Sequence, residues 1–227
     1  MLSKPGLILQ HGDDGPPARL GEWLGERGLP FVVHPAWEQP PPDPREFSFL
    51  ASLGSERSAG ETDGWVAAEI ASLREAIDAQ VPVLGLCFGG QALSVALGGG
   101  VEVLPTPEIG WIPVESSAPA IPDGPWLQYH FDRMHLPPGA QELARSPAGL
   151  AAFQHGRHLG VQFHPEADAD TVDVWARTDP KLPSTGITVE DLAAQSQLHA
   201  GAARDQAFAL FDRWLESVIS EPVPGRG

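Results

Sequence analysis

The tightest constraint on how this chain can fold is the stretch Val81-Pro-Val-Leu-Gly-Leu-Cys-Phe-Gly-Gly-Gln91, which holds the only cysteine in 227 residues. Residues 81–86 form an apolar run too short for a helix and read as a buried strand. Gly85-Leu-Cys-Phe-Gly89 then has the G-x-nucleophile-x-G spacing of a strand-to-helix elbow, with Cys in the place of Ser. The glycines permit a tight turn and let the new helix pass close to the strand. Residues 91–97 have helical composition and spacing, and Gly98-Gly-Gly100 ends them. Cys87 therefore sits at a helix N-terminus, where unpaired N–H groups and the dipole favour thiolate over thiol. A lone cysteine is ordinarily a small buried hydrophobe. The flanking glycines argue against that reading, because a core cysteine needs no elbow.

A second stretch supplies the groups a cysteine nucleophile needs. In Gly160-Val-Gln-Phe-His-Pro-Glu166 the run 159–163 reads as a short strand with His164 at its end. Pro165 fixes the chain direction after it. Glu166, two residues beyond His164, is in reach of the imidazole, where it can set the tautomer and stabilise imidazolium. A surface His beside a solvated Glu is the commoner arrangement. What favours a site is that Cys87 and His164 both fall at strand ends, where open α/β sheets place their chemistry.

With both stretches in hand, the chain resembles the class I glutamine amidotransferase domain, the triad type with Cys, His and Glu. Leu84-Gly-Leu-Cys-Phe-Gly-Gly-Gln91 is similar to the family's nucleophile motif and Gly160-Val-Gln-Phe-His-Pro-Glu166 to its His-Pro-Glu motif. The likeness runs from the first strand to at least Glu166 and is nearest to stand-alone members resembling the glutaminase half of GMP synthase. It implies an open, mostly parallel sheet flanked by helices, of flavodoxin-like type, with a small antiparallel addition. It implies Cys87, His164 and Glu166 as catalytic residues. The backbone N–H groups of Gly54 and Phe88 are implied as the oxyanion hole, although Leu53-Gly54-Ser55 stands where relatives usually carry Gly-Gly-Pro. Gln91, one helical turn from Cys87, and Tyr129-His130-Phe131, near the family's His-x-Asp element, are implied to line the substrate pocket. A structural amide and a partly buried histidine are the plainer readings of Gln91 and His130. Glu108-Ile-Gly-Trp111 also resembles a family element.

Charge and composition bound the partners. The formal net charge of −16 leaves no basic footprint for nucleic acid and disfavours anionic membranes. One cysteine excludes an internal disulfide. The N-terminal apolar stretch is too short for a signal peptide, and no run reaches the roughly 20 apolar residues of a membrane span. A cytoplasmic location is the default expectation. No cofactor and no metal are expected. His155 and His158 have no ligand companions at metal spacing and read as surface residues, and Asp168, Asp170 and Asp173 lack the remainder of a calcium loop.

In chain order the pattern predicts strands at 5–10, 30–34 and 47–50, and helices at 18–27 and 65–79. A pair of strands is predicted at 101–104 and 109–114 around Pro105-Thr-Pro107, with a hairpin of strands at 143–146 and 151–154. A short helix at 171–177 and two closing helices at 189–197 and 206–219 follow. Residues 1–220 read as one domain and 221–227 as a frayed tail. The function implied is hydrolysis of the glutamine side-chain amide through a Cys thioester, with ammonia passed to a synthase partner in trans. The alternatives are a self-sufficient γ-glutamyl peptidase or hydrolase and a non-catalytic binding or regulatory subunit. Glutamine or a γ-glutamyl small molecule is the expected ligand.

Overall fold

The computed structural model describes residues 2–219. Strict alternation of side chains along the first strands builds both faces of its main sheet. In β1 (Gly6–Gln10), Leu7 and Leu9 enter one apolar cluster while Ile8 enters the other. In β3 (Phe49–Ser52), Phe49 and Ala51 join Ile8 on its face, and Leu50 joins the opposite one. A strand apolar on both faces needs helices on both. The helices α1 (Ala18–Glu26) and α5 (Val189–Ile219) cover the Ile8 face through Leu20, Trp23, Leu24, Phe208, Phe211 and Trp214. The helices α2 (Gly64–Asp78) and α3 (Phe88–Ala96) cover the other through Val66, Ile70, Leu73, Ala92 and Leu93.

Three more elements of the parallel part are β2 (Phe31–Pro35), β4 (Val83–Leu86) and β10 (His158–Val161). The antiparallel part holds β6 (Glu115–Ser116), β8 (Gln141–Ser146) and β9 (Gly149–His155). The eight strands lie in the order β2-β1-β3-β4-β10-β9-β8-β6. The first five are mutually parallel and the last three antiparallel. A separate two-stranded sheet pairs β5 (Val101–Ile112) with β7 (Trp126–Met134). The helix α4 (Ala169–Thr178) packs with both, around Ile109, Leu127, Val172 and Ala176. This is the mostly parallel, helix-flanked architecture with a small antiparallel addition that the resemblance implied.

Three expectations need correction. Residues 101–104 and 109–114 are not two separate strands around the prolines. Residues 101–112 form one strand, β5, which pairs with β7 and shifts register between Val103 and Glu108, and residues 113 and 114 lie beyond its end. Prolines are tolerated at such an irregularity because no ladder N–H is needed there. The two closing helices are one, α5, which runs through Gly201. His158 is buried, not a surface residue, and burial pushes its imidazole down to about 4. The predicted tail at 221–227 lies outside the described residues. No helix among the described residues is long and apolar enough to cross a membrane, and no group of three metal-ligating side chains is found among them.

Because β1, β3, β4 and β10 run parallel in adjacent positions, their carboxyl ends share one edge of the sheet. His11, Gly54, Cys87 and His164 follow those four strands within a few residues.

Candidate functional site

Cys87 has φ 50° and ψ −107°, a conformation that costs a non-glycine residue energy and persists only when its surroundings dictate it. Those surroundings are backbone. A Cβ on Gly85 would lie 2.4 Å from the Gly89 carbonyl oxygen, and one on Gly90 would lie 2.4 Å from that of Val161. The Cys87 N–H donates to the Val161 carbonyl at 2.9 Å. The elbow is thus pressed between β4, α3 and β10, and α3 starts at Phe88, whose N–H has no acceptor within the helix.

His164 follows the end of β10 at Val161, with its backbone N–H donating to the Leu127 carbonyl at 2.9 Å. Its Nδ1 lies 2.7 Å from Glu166 Oε1, and both side chains are buried. Nδ1–H therefore points to the carboxylate and Nε2 is left without a protein partner. The Trp175 ring packs edge-on against the imidazole, 4.7 Å between centroids, and its indole N–H is held by the Asp14 carbonyl at 2.8 Å. Burial alone would depress the His164 imidazole. The Cys87 sulfur and then the Glu166 carboxylate outweigh it and hold the ring well above the ordinary histidine value. The sign is that of a cation stabilised by neighbouring negative charge. We expect the His164 ring to remain protonated as pH rises through the usual histidine range, and in Cys87→Ala the midpoint to fall. NMR titration of the His164 Cε1–H checks this, and an unchanged midpoint would show that the sulfur is not the cause.

Gly54 completes the group. A Cβ there would lie 2.7 Å from His164 Cε1 and 3.9 Å from Cys87 Cβ, so only a glycine backbone fits against this pair. The loop is anchored on both sides of Gly54. Leu53 N–H donates to the Leu9 carbonyl at 3.1 Å, and Gly89 N–H to the Leu53 carbonyl at 3.0 Å. Ser58 Oγ–H donates to Asp132 Oδ2 at 2.5 Å.

These residues open into a cleft of about 410 Å³, whose lining includes Cys87, His164, Gly54, Gln91 and the Tyr129–Phe131 segment. Gln91 Nε2 is tied to the Asp132 carbonyl at 3.1 Å. Tyr129 donates its hydroxyl to Asp179 at 3.1 Å, and burial and then Asp179 push the phenol up, so it stays a donor. Both His130 ring nitrogens are occupied, Nδ1 by the Asp132 carbonyl at 2.8 Å and Nε2 by Glu108 at 3.1 Å. Burial opposes the Glu108 charge, but His130, Ser146 and the Ala148 N–H outweigh it and hold the carboxyl below its ordinary range. His130 therefore offers the cleft no free ring nitrogen.

Sequence reasoning missed Gln162. Its Nε2 faces Cys87 Sγ at 3.8 Å, and its Oε1 is fixed by the Met134 N–H at 3.2 Å. The available signal was its place two residues before His164 in the same motif. Trp175 and Asp179 were also missed, since they lie far along the chain in helix and loop with no motif around them.

A family model described as glutamine amidotransferase class-I matches residues 56–174. A GMP synthase [glutamine-hydrolyzing] of Aeropyrum pernix is 36% identical over 139 residues, covering 54% of this chain and 27% of that protein. One of Thermomicrobium roseum is 40% identical over 99 residues, covering 40% of this chain and 19% of that protein. The match with the first thus spans about a quarter of that curated relative's length. A solved glutamine amido transferase from Methylobacillus flagellatus superposes with a TM-score of 0.86 at 25% identity, over 99% of this chain and 98% of that one. A glutamine amidotransferase from Thermotoga maritima shares the fold, with a TM-score of 0.85 at 24% identity over 96% and 99% of the two chains.

Proposed function

The chain belongs to the class I glutamine amidotransferase family, and we propose that it hydrolyses the glutamine side-chain amide through a thioester on Cys87, releasing ammonia to a separate synthase. The observation that carries this reading is the strained Cys87 at the head of α3 beside a buried His164 whose Nδ1 is 2.7 Å from Glu166. Cys87 thiolate attacks the side-chain carbonyl carbon. The carbonyl oxygen gains the electron pair and is received by the Gly54 and Phe88 N–H groups, a donor pair of which each member is worth roughly 3 kcal/mol of barrier. The C–N bond breaks as His164 gives its proton to the leaving amine, and ammonia departs. His164 then takes a proton from water, which attacks the thioester and releases glutamate. Glu166 holds the imidazole in the tautomer these transfers need.

The elbow, the buried His–Glu pair and the glycine backbone beside them all support catalysis over a non-catalytic binding role. The curated relatives are glutamine-hydrolysing GMP synthases, which supports an ammonia-using synthase as partner. The test is the steady-state rate of the purified chain on glutamine and on glutathione. Glutamine hydrolysis that rises with an ammonia-accepting synthase is expected. Rapid turnover of glutathione with little of glutamine would replace this reading by a γ-glutamyl peptidase.

A further inference from the structure

An oxyanion donor works only if it is held where the charge will develop, and Gly54 is a residue with free φ and ψ. Its two flanking peptides must each be pinned. The Leu53–Gly54 peptide is pinned by Gly89, whose N–H donates to the Leu53 carbonyl at 3.0 Å. The next peptide is pinned by a side chain that no motif announced. His11 Nδ1 lies 3.1 Å from the Gly54 carbonyl oxygen, and since a carbonyl can only accept, Nδ1 carries the proton of that bond.

We propose that His11, clamped by Glu69, is the positioning residue of the oxyanion hole; this rests on the glutaminase reading of the site. The clamp is complete on every side. His11 Nε2 lies 2.6 Å from Glu69 Oε2, with both side chains fully buried. Ser52 Oγ–H donates to the other carboxylate oxygen at 2.5 Å. The imidazole stacks on Trp65, 5.0 Å between centroids at 14°. It meets the Phe88 ring edge-on at 4.9 Å and 64°. Trp65 and Glu69 stand four residues apart on α2, so one helix face delivers both. His11 thereby touches both residues whose N–H groups form the hole, through a hydrogen bond to Gly54 and a ring contact with Phe88. Replacing a buried polar or ionic pair by a well-packed apolar pair of the same shape is often neutral for stability. Stability alone therefore gives this pair no role, whereas its seat behind Gly54 does.

The test separates the two ring nitrogens. A Gln side chain carries its N–H where Nε2 stands and loses the Gly54 bond. An Asn carries it where Nδ1 stands and keeps that bond. His11→Gln is expected to lower kcat on glutamine by roughly 10- to 100-fold, less than the roughly 100- to 1,000-fold loss from deleting a donor outright. KM should change little, and Cys87 should still be labelled by a glutamine-analogue diazoketone. His11→Asn should recover part of the loss. Hydrogen–deuterium exchange of residues 53–58 should quicken in His11→Gln, a readout independent of turnover. Wild-type kcat in a folded His11→Gln, or unchanged exchange there, overturns the proposal. A wild-type chain that hydrolyses no glutamine overturns the glutaminase reading instead, and the exchange measurement alone then decides whether His11 holds the loop. Should His11→Gln fail to fold by circular dichroism, Glu69→Gln carries the test. It loosens the hold on Nε2 and should lower kcat by about three- to tenfold with KM unchanged; wild-type kcat there overturns the proposal.

Discussion

Replacing Cys87 by alanine is expected to reduce glutamine hydrolysis below detection, a loss on the order of 10⁶-fold by analogy with triad hydrolases stripped of their nucleophile. The chain holds no other thiol, so nothing nearby can substitute. A diazoketone analogue of glutamine should add one covalent mass to the wild-type chain and none to Cys87→Ala. His164→Ala should cost as much as Cys87→Ala, and the double variant no more than either single one, because residues acting as one unit are grossly non-additive. Glu166→Gln should cost roughly two orders of magnitude less than His164→Ala. It disturbs the partner of Nδ1, 2.7 Å away, and leaves the proton-carrying ring in place. Single-turnover rates on glutamine, with circular dichroism as the folding control, decide among these outcomes. Persistent labelling of Cys87→Ala, or wild-type rates in His164→Ala, would remove the triad from the mechanism.

Why these three residues are legible in sequence, and His11 is not, follows from where their partners lie. The elbow writes itself locally: strand, turn, glycines and helix occupy consecutive residues, and each local preference agrees with the next. His164 and Glu166 are two positions apart and meet without help from the rest of the fold. The partners of His11 are Glu69 and Gly54, 58 and 43 residues away. The loop it opens, rich in Gly, Pro and Asp, looks like any turn. The parallel pairing of β1 with β3 brings Gly54 beside His11, and α2 packed on that sheet brings Glu69. The misread elements follow the same logic in reverse. Pro105 and Pro107 carry a strong local signal for a break, yet β5 continues past them because its register shifts there. Gly201 weakens a helix by about 1 kcal/mol, but the apolar face that follows, Phe208, Phe211 and Trp214, is buried against the sheet and tertiary packing carries α5 through.

The glycine that matters most for the fold of the site is Gly89, and a single methyl group added there is expected to have the largest structural effect of any small substitution. A Cβ on Gly89 would lie 2.1 Å from the backbone oxygen of Ser52 and 2.6 Å from its carbonyl carbon. These atoms belong to β3, hydrogen-bonded on both sides by β1 and β4, so they cannot yield as a flexible side chain can. The start of α3 must move instead. Overpacking of this kind costs about 1–3 kcal/mol where side chains can adjust, and against fixed backbone the loss should reach or pass the upper end. That is a large share of the roughly 5–15 kcal/mol that holds a domain folded. The same movement would break the Gly89 N–H bond to the Leu53 carbonyl and shift the Phe88 N–H, so activity should fall further than stability accounts for. Gly201→Ala is the control of opposite sign. Its Cβ would meet nothing within 4 Å in the interior of α5, and the change should stabilise by roughly 0.5–1 kcal/mol. Urea unfolding of both variants, with m-values compared to confirm the same transition, separates the two cases. A Gly89→Ala chain as stable and as active as the wild type would mean that α3 is not held against β3 as closely as its backbone contacts require.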